Sequence, residues 1–141
     1  MEVNTDPNAG LDGLIGVKYE EIGSDRCVLT LEIDEHHRQP YGLVHGGIYC
    51  VLAETAASIG AATHAMERGM NGAVGVSNST DFYRSMREGT IRAVATPIHQ
   101  GRSQQVWQVE MSDPANDRLV SRSQVRLHNL NDPTVIGGTD G

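Results

Sequence analysis

The chain has one lysine, Lys18, two cysteines and no long unbroken apolar run. Each scarcity excludes something. Without roughly 20 consecutive apolar residues, no segment can cross a bilayer as a helix. Cys27 and Cys50 form no CxxC pair, and both occupy apolar positions. They read as reduced core thiols of a cytoplasmic protein, not as a disulfide framework or a zinc site. No secretory signal pattern precedes the first apolar run. Positive charge is scarce too: 11 Lys+Arg against 18 Asp+Glu give a formal net charge of -7. That is the wrong sign for a general nucleic-acid binder. The basic charge that exists is arginine, concentrated late in the chain at Arg84, Arg87, Arg92, Arg102, Arg118, Arg122 and Arg126. Arginine suits flat, bidentate contact to phosphate or carboxylate, although most of these positions read as solvated strand faces.

A length of 141 residues suggests one domain. The polar segment 1–12 reads as a flexible arm, residues 13–130 as a single folded domain, and 131–141, "NDPTVIGGTDG", as a loose tail. "RCVLTLEI" alternates, with Cys27, Leu29, Leu31 and Ile33 on one face, as a half-buried strand does. "IGVKYEEI" is its plausible partner across the Gly23-Ser24-Asp25 turn. From about Gly46 to Arg68 the sequence predicts a helix with Gly69 as its stop. Its interior is rich in small residues, with apolar positions around much of its circumference, which implies burial on more than one side. Period two then returns in "GAVGVSNSTDF", in "GTIRAVATPIH" with Pro97 marking an edge or bulge, in "QQVWQVEM" and in "LVSRSQVRLH". The last three are joined by short turns and read as an antiparallel meander. The fold class is α+β: one long central helix wrapped by a curved antiparallel β-sheet.

One residue conflicts with that plan. Glu54 lies within the apolar, small-residue helix, where an unpaired carboxylate would cost several kcal/mol. His45 precedes the helix, and Gly46 and Gly47 open it. The first amides of a helix lack intrahelical acceptors and carry the positive end of its dipole. Glycine there lets a ligand oxygen approach, as an oxyanion hole requires. Ser58 lies four residues after Glu54, on the same helix face, and Gln39 and His45 can add donors from the loop. A polarised carbonyl, a base or nucleophile, and a group that orients water are the parts of acyl transfer to water. The expectation is that one helix aims its opening amides and Glu54 at a common carbonyl. Other chemistries fit less well. His36, His37, His45, His64 and Glu54 match no closed zinc set and no His-Glu-x-x-His, so no metal is expected. Cys50 in an apolar helix lacks the setting of a nucleophilic thiol. The Gly-x-Gly stretches lack a dinucleotide site's strand–helix context.

The segment "RQPYGLVHGGIYCVLAETAAS" resembles the pattern HQPxGxxHGGxxxxLxExxxS of the hotdog-fold acyl-CoA thioesterases. That group includes phenylacetate-pathway, 4-hydroxybenzoyl-CoA and enterobactin-pathway proofreading enzymes. The matching residues are Gln39, Pro40, Gly42, His45, Gly46, Gly47, Leu52, Glu54 and Ser58, with Arg38 in place of the leading histidine. "YRSMREGTIRAVATPIHQGRSQQVWQVEMSD" is similar to the family's later segments, and the resemblance runs from about Leu14 to Leu130. Phe82 and Tyr83 stand where the proofreading enzymes carry two histidines. The resemblance implies a hotdog fold, hydrolysis of an acyl-CoA thioester with an aromatic acyl group favoured, no separate cofactor, and a homo-oligomer that is commonly a dimer of dimers, with the active site between subunits. It implies Glu54 as catalytic carboxylate, nucleophile or general base. Gly46 is the amide donor to the thioester oxygen, with Gly47 its neighbouring candidate. His45 and Gln39 are the positioning side chains, and Ser58 holds the water or the carboxylate. Arg84 and Arg102, with His99 and Tyr83, are the candidates for contact to substrate and CoA phosphates. Two other classes remain open on these residues: a hotdog enoyl-CoA hydratase or dehydratase, and a non-catalytic acyl-CoA-binding protein.

Overall fold

The computed structural model describes residue 6 and residues 8–131. Half of the expected arm (residues 1–5 and 7) and all of the expected tail except Asn131 lie outside the described residues. The elements run α1 (Gly10–Ile15), β1 (Lys18–Glu21), β2 (Cys27–Glu32), a 3-10 turn (Glu35–His37), α2 (Gly46–Glu67), β3 (Gly72–Phe82), β4 (Thr90–Gln100), β5 (Gln104–Asp113) and β6 (Arg118–Leu130). All six strands form one antiparallel sheet in the order β1-β2-β4-β5-β6-β3. The sequence after the long helix therefore builds a β4-β5-β6 meander, and β3 closes back against β6 as an edge. Pro97 sits at a bulge in the β4–β5 ladder, beyond the last β2–β4 pair, Cys27 with Ala95. A residue without an N–H is tolerated at such a point.

α2 runs about 33 Å and packs on the sheet by one stripe: Tyr49, Leu52, Ala53, Ala56, Ala57, Gly60, Ala61 and Ala65 are buried. This corrects the expectation of burial on more than one side. Most other positions, among them Cys50, Glu54, Ser58 and Ile59, are half-buried, because the sheet of a single chain passes across only one side of the helix. The small residues serve close approach. At Gly60 a Cβ would lie 2.5 Å from the ring of Trp107, which is fully buried on β5 with Val109 and Met111. The Trp107 indole donates to Gln105 Oε1, while Gln105 Nε2 donates to the Ala61 carbonyl and to Asn129 Oδ1. Both amide side chains are buried and satisfied, as burial in an apolar core demands.

The helix ends as its sequence implies. Arg68 caps it, and Gly69 takes φ +79°, a conformation that glycine adopts without strain. The expected arm ends inside α1, and its last residue is held. Asp12 accepts from Tyr19 Oη (3.0 Å) and from Thr55 Oγ1 (2.9 Å), fastening α1 to the half-buried side of α2. That contact and burial push the Tyr19 hydroxyl up to about 12, burial being the larger cause.

Candidate active site

The loop before α2 is closed by its own hydrogen bonds. Gln39 N–H donates to the Leu43 carbonyl, Gly42 N–H donates to the Gln39 carbonyl, and Gln39 Oε1 accepts from the Tyr41 amide. Gly42 supplies the turn with φ +81°. Arg87 donates to the Tyr41 carbonyl, and Arg38 donates to the Arg87 carbonyl, so the two guanidiniums brace the loop from outside. His45 is the N-cap of α2, its backbone N–H bound to the buried His37 carbonyl. Its Nδ1 accepts from Gly47 N–H at 2.8 Å. The Gly47 amide is thus engaged within the chain. Gly46 is left as the opening amide with no acceptor among the described residues.

Beside that amide lies a cavity of about 430 Å³ lined by Gln39, Gly46, Tyr49, Phe82, Tyr83 and Arg84, among others. It lies within the range of small-molecule sites, and three aromatic rings form much of its wall. Phe82 covers Gly46 so closely that a Cβ there would lie 2.9 Å from the ring. The Phe82 ring also meets Tyr49 at 5.9 Å between centroids, tilted by 49°. Phe82 is 55% exposed. The Tyr49 hydroxyl is buried with no hydrogen-bond partner among the described residues, and burial raises it to about 12.

Glu54 stands on the half-buried side of α2, against β3. Its Oε1 receives Ser58 Oγ–H at 3.4 Å, and its Oε2 receives Asn78 Nδ2–H at 3.3 Å. Gly75 makes room for the carboxylate, since a Cβ there would lie 1.9 Å from Glu54 Oε1. The β3–β6 register shifts between Gly75 and Ser77, so the strand is irregular where it passes the carboxylate. Among the described residues Glu54 has no ion-pair partner. The conflict seen in the sequence is resolved by half-burial, neutral donors and a glycine-made space.

The structure brings together Glu54 with Ser58, and Gln39 with Gly46, Tyr83 and Arg84, but it does not join the two groups in one chain. Glu54 follows Gly46 by eight positions, which sets their backbones about 12 Å apart along the axis and about 80° around it. Glu54 does not line the cavity beside Gly46. The expectation that one helix aims both at one carbonyl is corrected by the helix's own pitch. Arg102 stands near the opposite end of α2, in a cavity of about 410 Å³ shared with Arg68 and His128. Its turn is held by Asn129 Nδ2, which donates to the Gly101 and Arg102 carbonyls. His99 packs on that turn, where a Cβ at Gly101 would lie 2.6 Å from its Nε2. Sequence reasoning missed Gly75 and Asn78. Gly75 left a faint signal, a glycine interrupting a strand pattern; Asn78 left none. Among the described residues no three His, Cys, Asp or Glu side chains converge to hold a metal ion, and no helix is long and apolar enough to cross a membrane.

Comparison with known proteins agrees with this architecture. Residues 41–119 match the family model described as the thioesterase superfamily. A provisionally named esterase of Mycobacterium tuberculosis is 42% identical over 120 residues, covering 84% of this chain and 85% of that protein. Its solved structure superposes with a TM-score of 0.82 at 40% identity, covering 86% and 96% of the two chains. The 1,4-dihydroxy-2-naphthoyl-CoA hydrolase of Escherichia coli is 39% identical over 101 residues, covering 72% of this chain and 73% of that protein.

Proposed function

The chain belongs to the thioesterase superfamily, a hotdog-fold hydrolase of acyl-CoA thioesters, and from that premise we propose that it acts on an aromatic acyl-CoA at a site assembled from two copies of the chain. The observation that carries the proposal is Glu54: a carboxylate on a small-residue helix, given space by Gly75 and a neutral donor on each oxygen. Such a carboxylate is held in place yet left accessible, as a base or nucleophile must be. The free Gly46 amide, at the positive end of α2, is the donor for the oxygen that becomes anionic. Glu54 draws a proton from a water whose oxygen attacks the carbonyl carbon; the C–S bond breaks and the proton passes to sulfur, so that CoA leaves as the thiol. Alternatively Glu54 attacks the carbonyl carbon itself, the C–S bond breaks, the thiolate takes a proton from water, and the resulting hydroxide hydrolyses the anhydride to free acid and restored Glu54. Because the backbones of Gly46 and Glu54 lie about 12 Å apart along one helix, the amide of one copy works with the carboxylate of the other. The exposed edge of β3, next to Glu54, is the surface on which a second copy pairs.

Aromatic preference rests on the cavity wall, where the rings of Tyr49, Phe82 and Tyr83 offer flat apolar contact beside Gly46. The 1,4-dihydroxy-2-naphthoyl-CoA hydrolase relative acts on an acyl group of this kind. Arg84 at one end of α2 and Arg102 at the other are the proposed contacts for CoA phosphates. Both cysteines are free, in keeping with a reducing cytoplasm. The hydratase alternative gains no support, because it needs His45 beside Glu54, and His45 is occupied as the cap of α2.

The test is turnover of aromatic, short-chain and medium-chain acyl-CoAs by wild type, Glu54→Ala and Glu54→Gln, read as thiol release. Both variants should remain folded and lose at least about 100-fold in kcat. Near-wild-type turnover in either would remove Glu54 from the chemistry, and binding of acyl-CoA without thiol release from any substrate would make the chain a carrier.

A further inference from the structure

We propose that Asn78 is a positioning residue for Glu54, the final donor of a hydrogen-bond relay that begins inside the sheet and runs through Ser123 and Thr80. The distances are Ser123 Oγ to Thr80 Oγ1, 2.7 Å; Thr80 Oγ1 to Asn78 Oδ1, 2.7 Å; and Asn78 Nδ2 to Glu54 Oε2, 3.3 Å, with a second Asn78 N–H to the Cys50 carbonyl at 3.1 Å. The sense of the relay follows from the acceptors at its end. Asn78 faces the Cys50 carbonyl, which can only accept, so its NH₂ must point there and with it at Glu54 Oε2. Its Oδ1 then faces Thr80, whose proton it takes. Thr80 in turn accepts from Ser123, which is buried and directly opposite it on β6. Reversing the amide would set the Asn78 and Cys50 carbonyl oxygens against one another with no proton between them.

This rests on the reading of Glu54 as the acting carboxylate and adds what fixes it. A glutamate on a half-buried helix face has three side-chain torsions to restrain. Ser58 holds one oxygen from the same helix, so among the described residues only Asn78 ties the carboxylate to the sheet. Asn78 is exposed on an edge strand, so the relay contributes direction more than stability. Removing a donor from a carboxylate disfavours its charged form. The only titratable side chain of β3, Asp81, lines a separate cleft with Arg122, Cys50 lies one turn earlier on α2, and no cation pairs with Glu54 among the described residues.

The experiment compares Asn78→Ala, Thr80→Val, Thr80→Ser and Glu54→Gln by kcat, KM, thermal stability and the pH dependence of kcat. Asn78→Ala should lower kcat about tenfold or more with KM within about twofold, and should move the acid limb of the profile upward. Thr80→Val touches neither Glu54 nor substrate and keeps its shape, so an acid-limb shift in the same direction reports the relay alone. Thr80→Ser, which keeps the hydroxyl, should restore the wild-type limb. The proposal is overturned if Thr80→Val and Thr80→Ser give the same profile, or if folded Asn78→Ala keeps wild-type kcat and acid limb. Should that occur while Glu54→Gln is inactive, the hydrolase reading stands and the relay falls. An active Glu54→Gln removes both.

Discussion

Replacing Gly75 by alanine adds one methyl group where β3 passes Glu54. The added carbon would lie 1.9 Å from Glu54 Oε1 and 2.9 Å from the carboxyl carbon. To clear 3.0 Å the oxygen must retreat by about 1.1 Å. The obstacle is the tip of a flexible, half-buried side chain, so the cheapest response is rotation of Glu54, which leaves the backbone in place. Gly75 does not use a left-handed conformation. Alanine there restricts the unfolded chain and stabilises by about 0.4–1 kcal/mol, roughly matching the cost of the off-rotamer glutamate, about 0.5–1.5 kcal/mol. Stability should therefore change by less than about 1 kcal/mol. Activity should fall far more, since a displacement of about 1 Å in a reacting group costs on the order of 100-fold. The measurement pairs a thermal melt with initial rates of thiol release, and the expected result is an unchanged Tm with kcat down about two orders of magnitude. A folded Gly75→Ala enzyme within about threefold of wild type would refute the reasoning, because it would show that the carboxylate's position does not matter to the chemistry.

Gly60→Ala should act in the opposite way, on stability. The added methyl meets the Trp107 ring at 2.5 and 2.6 Å. That ring is fully buried and tethered to Gln105, so overpacking of about 1–3 kcal/mol outweighs the roughly 1 kcal/mol gained in helix propensity. A melt should show Tm lower by several degrees, and an unchanged or raised Tm would contradict it. Tyr49→Phe should stabilise by about 1 kcal/mol in chemical denaturation by removing a buried, unpartnered hydroxyl; a loss of stability would mean that the hydroxyl has a partner. Tyr19 and Tyr49 are both raised from 10.0 to about 12 in the folded chain. The stability they contribute is complete below about pH 10 and is lost as pH rises through about 12, when the unfolded state ionises first. Denaturation midpoints should therefore fall across that window, with a shallower fall in Tyr49→Phe. Gly46→Pro removes the free amide while keeping a residue that suits the first helical position, and His45 already has the extended backbone that precedes proline. Mixed with inactive Glu54→Gln and allowed to exchange, it should recover about a quarter of wild-type activity if each site takes its amide and its carboxylate from different copies. No recovery after verified exchange would place both groups in one copy.

Local patterns recovered much of the fold. The period of two in "RCVLTLEI" and "QQVWQVEM" marked β2 and β5, because an alternating strand buries one face whatever its neighbours are. Gly69 ended α2 where a left-handed residue was needed. Pro97 marked the β4 bulge, because a missing N–H leaves few places in a sheet. Asp12 was assigned to an arm because a short polar segment has no periodicity, although two hydrogen bonds hold it against β1 and α2.

The candidate site divides in the same way. Glu54 with Ser58, and the glycines that open α2, were readable because helix spacing alone places i, i+4 and N-terminal groups, whereas the His45 cap that engages Gly47 and leaves the Gly46 amide free was not. Gly75, Asn78 and the Phe82 cover over Gly46 come from β3, more than 20 residues beyond Glu54 and a strand's width away in space. Their relation to the carboxylate depends on strand register, and a one-residue slip would turn Asn78 from Glu54 toward the other face. Sequence determined which chemical groups the helix carries and in what order, because covalent spacing and helical pitch fix that. Tertiary structure decided what surrounds those groups, and it separated the amide from the carboxylate along one helix, because rigid geometry keeps residues 46 and 54 about 12 Å apart.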